Sequence, residues 1–293
     1  FAAPVEAAET LDASHERDLV ILTVKATGTV EALEANAAAV AGHPLLVVQN
    51  GLDAIDAAER AAPAASTLLG GLATWAASHL EPGRVTITGP GRLFIGAGRG
   101  APTPLVRAIA AALADAVETT VVEDFTGAQW SKLVINQVNA LPAITGLSVQ
   151  EVVAEPRLRR VLTASMREAV RVAIGAGVRF EPLQGLTDRM LRRFARMPAV
   201  PRQMARGMGP VPNPASTLQS IRRGQPTEID ALNGAVARIA AATGQAAPLN
   251  ALMTELVHRV EREGSFVSVD EVVALGDTAV VIGARAAGPA WRG

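Results

Sequence analysis

The front of the chain alternates between two hydrophobic periods. Asp18–Ala26 (DLVILTVKA) is a nearly continuous apolar run bounded by charge, the pattern of a strand buried on both faces of a parallel sheet. Thr29–Ala41 carries Val30, Leu33, Ala37 and Val40 at helical spacing. Pro44–Gly51 (PLLVVQNG) is a second apolar run that ends in Asn50-Gly51, and Leu52–Ala61 is again helical. Strand, helix, strand, helix at this spacing predicts a βαβ sheet.

The pattern then shortens. Thr67–Leu72, Thr74–His79, Arg84–Thr88 and Arg92–Gly96 are short strand candidates, separated by Glu-Pro-Gly at Glu81–Gly83 and Gly-Pro-Gly at Gly89–Gly91. They predict antiparallel strands at one edge of the sheet. A helix over Pro104–Ala116 and a strand over Thr119–Glu123 close this half. From Asp124 the chain reads as helical. Asp124 can cap a helix Phe125–Leu141 that Pro142 stops, and further helices cover Pro156–Ala176, Ser216–Arg223, Glu228–Thr243 and Leu249–Glu263. Between them lie a basic, Met-rich stretch, Met190–Met208, and a loop, Gly209–Pro214. The division this implies is a sheet domain over 1–123, a helical domain over 124–264, and a C-terminal tail over 265–293 with no assigned structure.

Composition narrows the chemistry. The 293 residues are 49% hydrophobic and 19% charged, which describes a globular chain. Lys+Arg (27) and Asp+Glu (28) nearly cancel, for a net charge of -1, so nothing electrostatic favours nucleic acid. No apolar run is long enough to span a bilayer and no signal-peptide pattern opens the chain, which makes a soluble, cytoplasmic protein the expectation. With 0 Cys there are no disulfides, thiolate metal sites or cysteine nucleophiles. With 0 Tyr the Tyr/Lys pair of short-chain dehydrogenases is excluded. The 4 His are scattered, without an i,i+4 pair, and no metal is expected.

Three segments could carry chemistry. Lys25 and Asn50 follow the two apolar runs, and ligands of open α/β sheets bind beyond the carboxyl ends of parallel strands; a solvated lysine and an ordinary Asn-Gly turn explain them as well. Trp130–Gly146 (WSKLVINQVNALPAITG) puts Lys132, Asn136 and Asn139 at i, i+4 and i+7 on one stripe of an otherwise apolar helix. An amino group and two amides can grip a polar substrate, and the lysine can give a proton to a developing alkoxide; the alternative is a plain wet face. In Asn213–Gly234, Ser216 and Glu228 read simply as a helix cap and a carboxylate favoured by a helix dipole. A fourth segment imitates a fingerprint: Gly96, Gly98 and Ala101 fit the dinucleotide G-x-G-x-x-G/A pattern, but Pro102 and Pro104 crowd the following helix, and a glycine-rich turn explains it better.

Taken in order, Leu22–Ala26 (LTVKA), Gln49–Leu52 (QNGL), the Glu81–Gly96 segment, Trp130–Gly146 and Ser216–Gly234 (STLQSIRRGQPTEIDALNG) resemble the ketopantoate reductase (2-dehydropantoate 2-reductase) family, over about Asp18–Ser265. The resemblance implies an α/β fold: a Rossmann-type dinucleotide-binding domain, here truncated, followed by an all-helical domain like the C-terminal domain of 6-phosphogluconate dehydrogenase. It implies NADPH-dependent reduction of the keto acid 2-dehydropantoate to pantoate, a step toward pantothenate and coenzyme A. It makes Lys132 the catalytic general acid, assigns substrate binding to Asn50, Asn136, Asn139 and Ser216, and puts Lys25, Asn50 and Glu228 on the cofactor side. Family members occur as monomers and dimers, so a homodimer is compatible with it.

Two departures matter. Many members carry an asparagine eight residues after the lysine, where this chain has Ala140; its asparagine is Asn139, which leaves that side chain's role open. The family also opens with a strand, a glycine-rich turn and a helix, whereas residues 1–17 contain no glycine and the chain starts at Phe1. The expectation is a chain without its pyrophosphate-binding turn. Two other readings therefore stay open: a reductase of another branched keto acid, and a non-catalytic remnant.

Overall fold

A computed structural model describes residues 6–81, 84–196 and 213–286. Most of the Met-rich stretch, all but two residues of the following loop and the end of the tail lie outside them. The chain divides into two units: residues 1–49 with 53–125, and residues 50–52 with 126–293.

In the first unit the strands run β1 (Val20–Leu22), β2 (Pro44–Val48), β3 (Thr67–Ala73), β4 (Ala76–Glu81), β5 (Arg84–Gly89), β6 (Leu93–Ala97) and β7 (Thr119–Val121). Five of them form one sheet in the order β1-β2-β3-β6-β7, and β4 and β5 pair separately. β1, β2 and β3 are parallel, β6 is antiparallel to β3, and β7 is parallel to β6. The helices are α1 (Thr29–Ala35), α2 (Ala37–Val40), α3 (Ala54–Ala61) and α4 (Pro104–Ala114). Leu46, Leu69, Ile95, Val106 and Ile109 form the core between sheet and α4.

Three expectations change here. β1 is three residues long and has one described neighbour, and it is buried on one face alone, Ile21 being 46% exposed instead of buried. The helix expected over Thr29–Ala41 breaks at Asn36, whose amide donates to Ala32 O (2.8 Å) and accepts from Leu11 N (2.7 Å); a side chain that bonds the backbone competes with the helix. β6 does not lie at an edge but joins β3 to β7.

The glycines of this unit make room for an aromatic ring. Gly70 on β3 and Gly96 on β6 are paired across the antiparallel ladder, and buried Phe125 lies over both. A β-carbon on Gly70 would sit inside the Phe125 ring, and one on Gly96 would come within 2.9 Å of Phe125 Cβ. Gly98 has the carbonyl of Leu68 at 2.9 Å from its would-be β-carbon. Packing thus accounts for the glycine spacing at Gly96–Ala101. That turn also lies at the amino ends of β1–β3, the wrong edge for a ligand of the parallel strands. Replacing Gly70 by Ala is expected to destabilise the protein by about 1–3 kcal/mol through overpacking, read as a lower midpoint in urea; an unchanged midpoint would contradict this packing.

The second unit is helical: α5 (Phe125–Asn136, its first residue counted with the sheet), α6 (Ala140–Thr145), α7 (Val149–Ala154), α8 (Pro156–Gly175), α9 (Asp188–Phe194), α10 (Ala215–Arg222), α11 (Asn233–Ala242), α12 (Pro248–Glu263) and α13 (Val269–Ala286). Leu133, Leu141, Ile144, Leu158, Val170, Leu218, Val236 and Val257 belong to one continuous core. Where the sequence leaves 265–293 unassigned, the chain builds α13, whose Val272 and Ala279 are buried in this core.

Pro142 does not stop a single helix over 125–141. The chain tightens into a 3-10 turn at Gln137–Asn139 and resumes as α6, with Pro142 in the first turn. Proline offers no N–H to the carbonyl four residues back and is tolerated in a first turn, so the break falls one turn ahead of it. Likewise, Glu228 does not open a long helix. It precedes a 3-10 turn, Ile229–Ala231, and α11 starts only after Leu232, at φ -102° and ψ -98°. Among the described residues no helix is long and apolar enough to cross a membrane.

Candidate active site

Asn50, Lys132, Asn136 and Glu228 come together in the second unit. Lys132 and Asn136 are one turn apart on α5 and both are partly buried. Asn136 Nδ2 donates to Asn50 Oδ1, and Asn50 Nδ2 donates to Glu228 Oε2, each at 3.5 Å. These are long bonds between neutral amides and a carboxylate, at the limit of hydrogen-bond geometry, so little is lost when a ligand replaces them. Burial pushes the Lys132 ammonium down to about 8, and the Glu228 carboxylate acts against that shift. In the 3-10 turn that follows α5, Asn139 Nδ2 donates to Ser216 Oγ at 3.3 Å.

Local structure holds each group. Asn50 is fixed by Gly51, which has φ +89° and lies so close to Ala231 that a β-carbon would be 2.6 Å from its carbonyl oxygen. The Gly51 carbonyl accepts from buried Gln129 Nε2 at 3.1 Å. Glu228 is held by its neighbours: Thr227 N donates to Glu261 Oε1 (2.9 Å), and Asp230 meets His258 Nε2 (3.0 Å). His258 also meets Glu261 Oε2 at 2.7 Å; burial disfavours its charge, but the hydrogen bonds to Glu261 and Asp230 outweigh that and raise its pKa. Ser216 follows Ala215, a buried non-glycine residue at φ +61°, a conformation disfavoured for L-residues. Strain of this kind persists where surrounding structure imposes it.

Lys25 belongs to the first unit, where it is exposed and precedes a 3-10 turn after β1. Its loop is tied to the end of β2 by buried Gln49, whose Nε2 donates to Val24 O and to Thr29 Oγ1, both at 2.8 Å. Gln49, Gly51 and Gln129 were not singled out from the sequence as supporting residues. The one visible signal was a carboxamide closing an apolar run, LLVVQ. The chain has two lysines in all, Lys25 and Lys132, and both lie among the predicted site residues.

Comparison with known proteins agrees with this architecture. A family model described as ketopantoate reductase PanE/ApbA matches residues 2–100, and one for the C-terminal part of the same family matches residues 124–261. A protein of Halobacterium salinarum named 2-dehydropantoate 2-reductase is 32% identical over 251 residues, covering 85% of this chain and 78% of that protein. One of the same name from Pyrococcus abyssi is 27% identical over 243 residues, 82% of this chain and 75% of that protein. The crystal structure of a PanE/ApbA family ketopantoate reductase from Ralstonia eutropha superposes with a TM-score of 0.70 at 30% identity, covering 84% of this chain and 76% of that one. The sheet-then-helices order and these likenesses converge: the chain belongs to the ketopantoate reductase family, whose members are NAD(P)H-dependent oxidoreductases.

Proposed function

We propose that this chain reduces 2-dehydropantoate to pantoate with NADPH, Lys132 serving as general acid, in the route to pantothenate and coenzyme A. The observation that carries this reading is a partly buried ammonium, its pKa brought down to about 8, beside the Glu228 carboxylate and the Asn50 and Asn136 amides. Names shared with relatives over 85% of the chain favour this substrate over another keto acid or a non-catalytic remnant.

Each unit offers groups that suit the reactive end of a reduced nicotinamide cofactor. Lys25 follows a parallel strand at its carboxyl end, on a loop fixed by Gln49. Asn50 follows a second such strand, and Glu228 offers a carboxylate to a ribose or carboxamide. When bound, the cofactor would supply a hydride to the keto carbon.

The rest is the work of side chains. As the carbonyl oxygen gains charge, the Lys132 ammonium stabilises it and passes it a proton, so the ketone becomes a hydroxyl and the lysine a neutral amine. Twenty-five of the 27 basic residues are arginine, since two are lysine. A guanidinium does not give up a proton in this pH range, and lysine stands where the proposal needs a donor. Asn136, Asn139 and Ser216 orient the substrate, Asn50 reaches both substrate and cofactor, and Glu228 keeps the lysine charged.

The test is steady-state reduction of 2-dehydropantoate by NADPH, with NADH for comparison, as a function of pH. The acid must be protonated to act, and its folded pKa is about 8. The rate is therefore expected to be flat below that pH and to fall above it, about tenfold per unit. A rate that rises through pH 8–9, or no turnover with either cofactor, would overturn the proposal.

A further inference from the structure

Beneath the site runs a chain of buried amides. Gln137, 1% exposed, opens the 3-10 turn between Asn136 and Asn139. Its Oε1 accepts from Asn233 Nδ2 at 2.7 Å and from Ser165 Oγ at 2.9 Å. Asn233, fully buried, is the first residue of α11 and follows the turn that carries Glu228. Its Nδ2 also donates to Asn250 Oδ1 at 3.1 Å, and Asn250 Nδ2 donates to Glu168 Oε2 at 2.9 Å. Glu168 ends the chain by accepting from Leu249 N (3.1 Å) and Asn250 N (3.0 Å), so that it caps α12 from α8.

Stability alone does not account for the first link. Gln137 Nε2 and Asn233 Oδ1 are buried and find no hydrogen-bond partner among the described residues. An orphaned buried polar atom costs stability, whereas an apolar pair of the same shape would be neutral or better. The link does join two segments that matter: one end adjoins Asn136, the other the Glu228 turn.

We infer that the Asn233–Gln137 hydrogen bond is a positioning device that sets the spacing between the Lys132–Asn136 helix and the Glu228 turn. Neither residue touches substrate. The inference rests on the proposed general-acid role of Lys132, and its test includes a readout that does not depend on turnover.

The test compares Asn233→Leu with the double variant Gln137→Leu/Asn233→Leu, which removes both partners of the 2.7 Å bond and also takes away the bonds that Ser165 Oγ and Asn250 Oδ1 make to them. With just two lysines, the Lys132 Cε resonance can be followed by 13C NMR through a pH titration. The melting temperature of each variant is measured beside its kcat, so that lost structure is separated from lost positioning. The double variant's kcat for 2-dehydropantoate should fall about tenfold or more, because small misplacements of catalytic groups are costly. Its Lys132 titration midpoint should move from the parent's as the distance to Glu228 changes. A double variant with the parent's kcat and the parent's Lys132 midpoint would overturn the inference. A moved midpoint in a protein whose parent does not reduce 2-dehydropantoate would leave the device standing and refute the proposed reaction.

Discussion

Lys132→Met is expected to lower kcat for 2-dehydropantoate by roughly 10²–10⁴-fold, the range for a positioned general acid, or about 3–5 kcal/mol of barrier. The fold should survive. Methionine matches the stem of lysine in length, and the ammonium is a group that burial already disfavours, as its pKa of about 8 records. The melting temperature should therefore stay at or above the parent's, which separates lost chemistry from lost structure. Lys132→Arg divides the two contributions of the side chain. It restores the positive charge but no transferable proton, and arginine's longer, planar head does not fit the position of a compact ammonium. Arginine should recover a minor part of the loss at most, and the fall in rate above pH 8 should vanish in both variants. Methionine at parental kcat would remove Lys132 from the mechanism; arginine at parental kcat would leave it a purely electrostatic role.

What was legible in the sequence follows from how locally each feature is determined. β2 reads correctly because Leu45, Leu46 and Val47 are buried on both sides of the sheet, so the apolar run and the environment agree. β1 is buried on one face alone, with Val20 and Leu22 inward and Ile21 outward, so the same kind of run overstates its burial. On α5, Lys132 and Asn136 were visible as polar groups on an apolar helix. The shift of Asn139 toward Ser216 was not, since it depends on the 3-10 turn that Pro142 imposes a turn later. Glu228 looked like an ordinary helix start, and what distinguishes it is tertiary: Glu261 and His258 hold its flanks from α12. The buried amides Gln137, Asn233 and Asn250 come from a 3-10 turn, α11 and α12 and meet in the fold alone. α13 lies in the stretch the sequence left unassigned. Its buried positions, Val272 and Ala279, are set by contact with α8 and α12.

Gly51→Ala is expected to damage both the fold and the site. Two costs coincide at this residue. Its φ of +89° lies where an L side chain costs about 1–2 kcal/mol. The added β-carbon would also stand 2.6 Å from Ala231 O and 2.9 Å from Ala231 Cβ, and a backbone oxygen cannot swing aside as a side-chain tip can; overpacking of this kind costs about 1–3 kcal/mol more. Relief is available through movement of the Asn50–Leu52 segment or of the Ile229–Ala231 turn, and either movement separates Asn50 from Glu228. Stability should fall by about 2–5 kcal/mol, and kcat of the folded fraction by about 10²-fold, as expected for a displacement near 1 Å. Gly51→Asn distinguishes the two causes. Asparagine tolerates a positive φ better than alanine does but fills the same space against Ala231. If asparagine restores most of the stability, backbone conformation dominates; if it is as damaging as alanine, the close approach to Ala231 dominates. Alanine with the parent's denaturation midpoint and kcat would mean that the Asn50 loop does not depend on this contact, and the account of how Asn50 is aimed at Glu228 would fail with it.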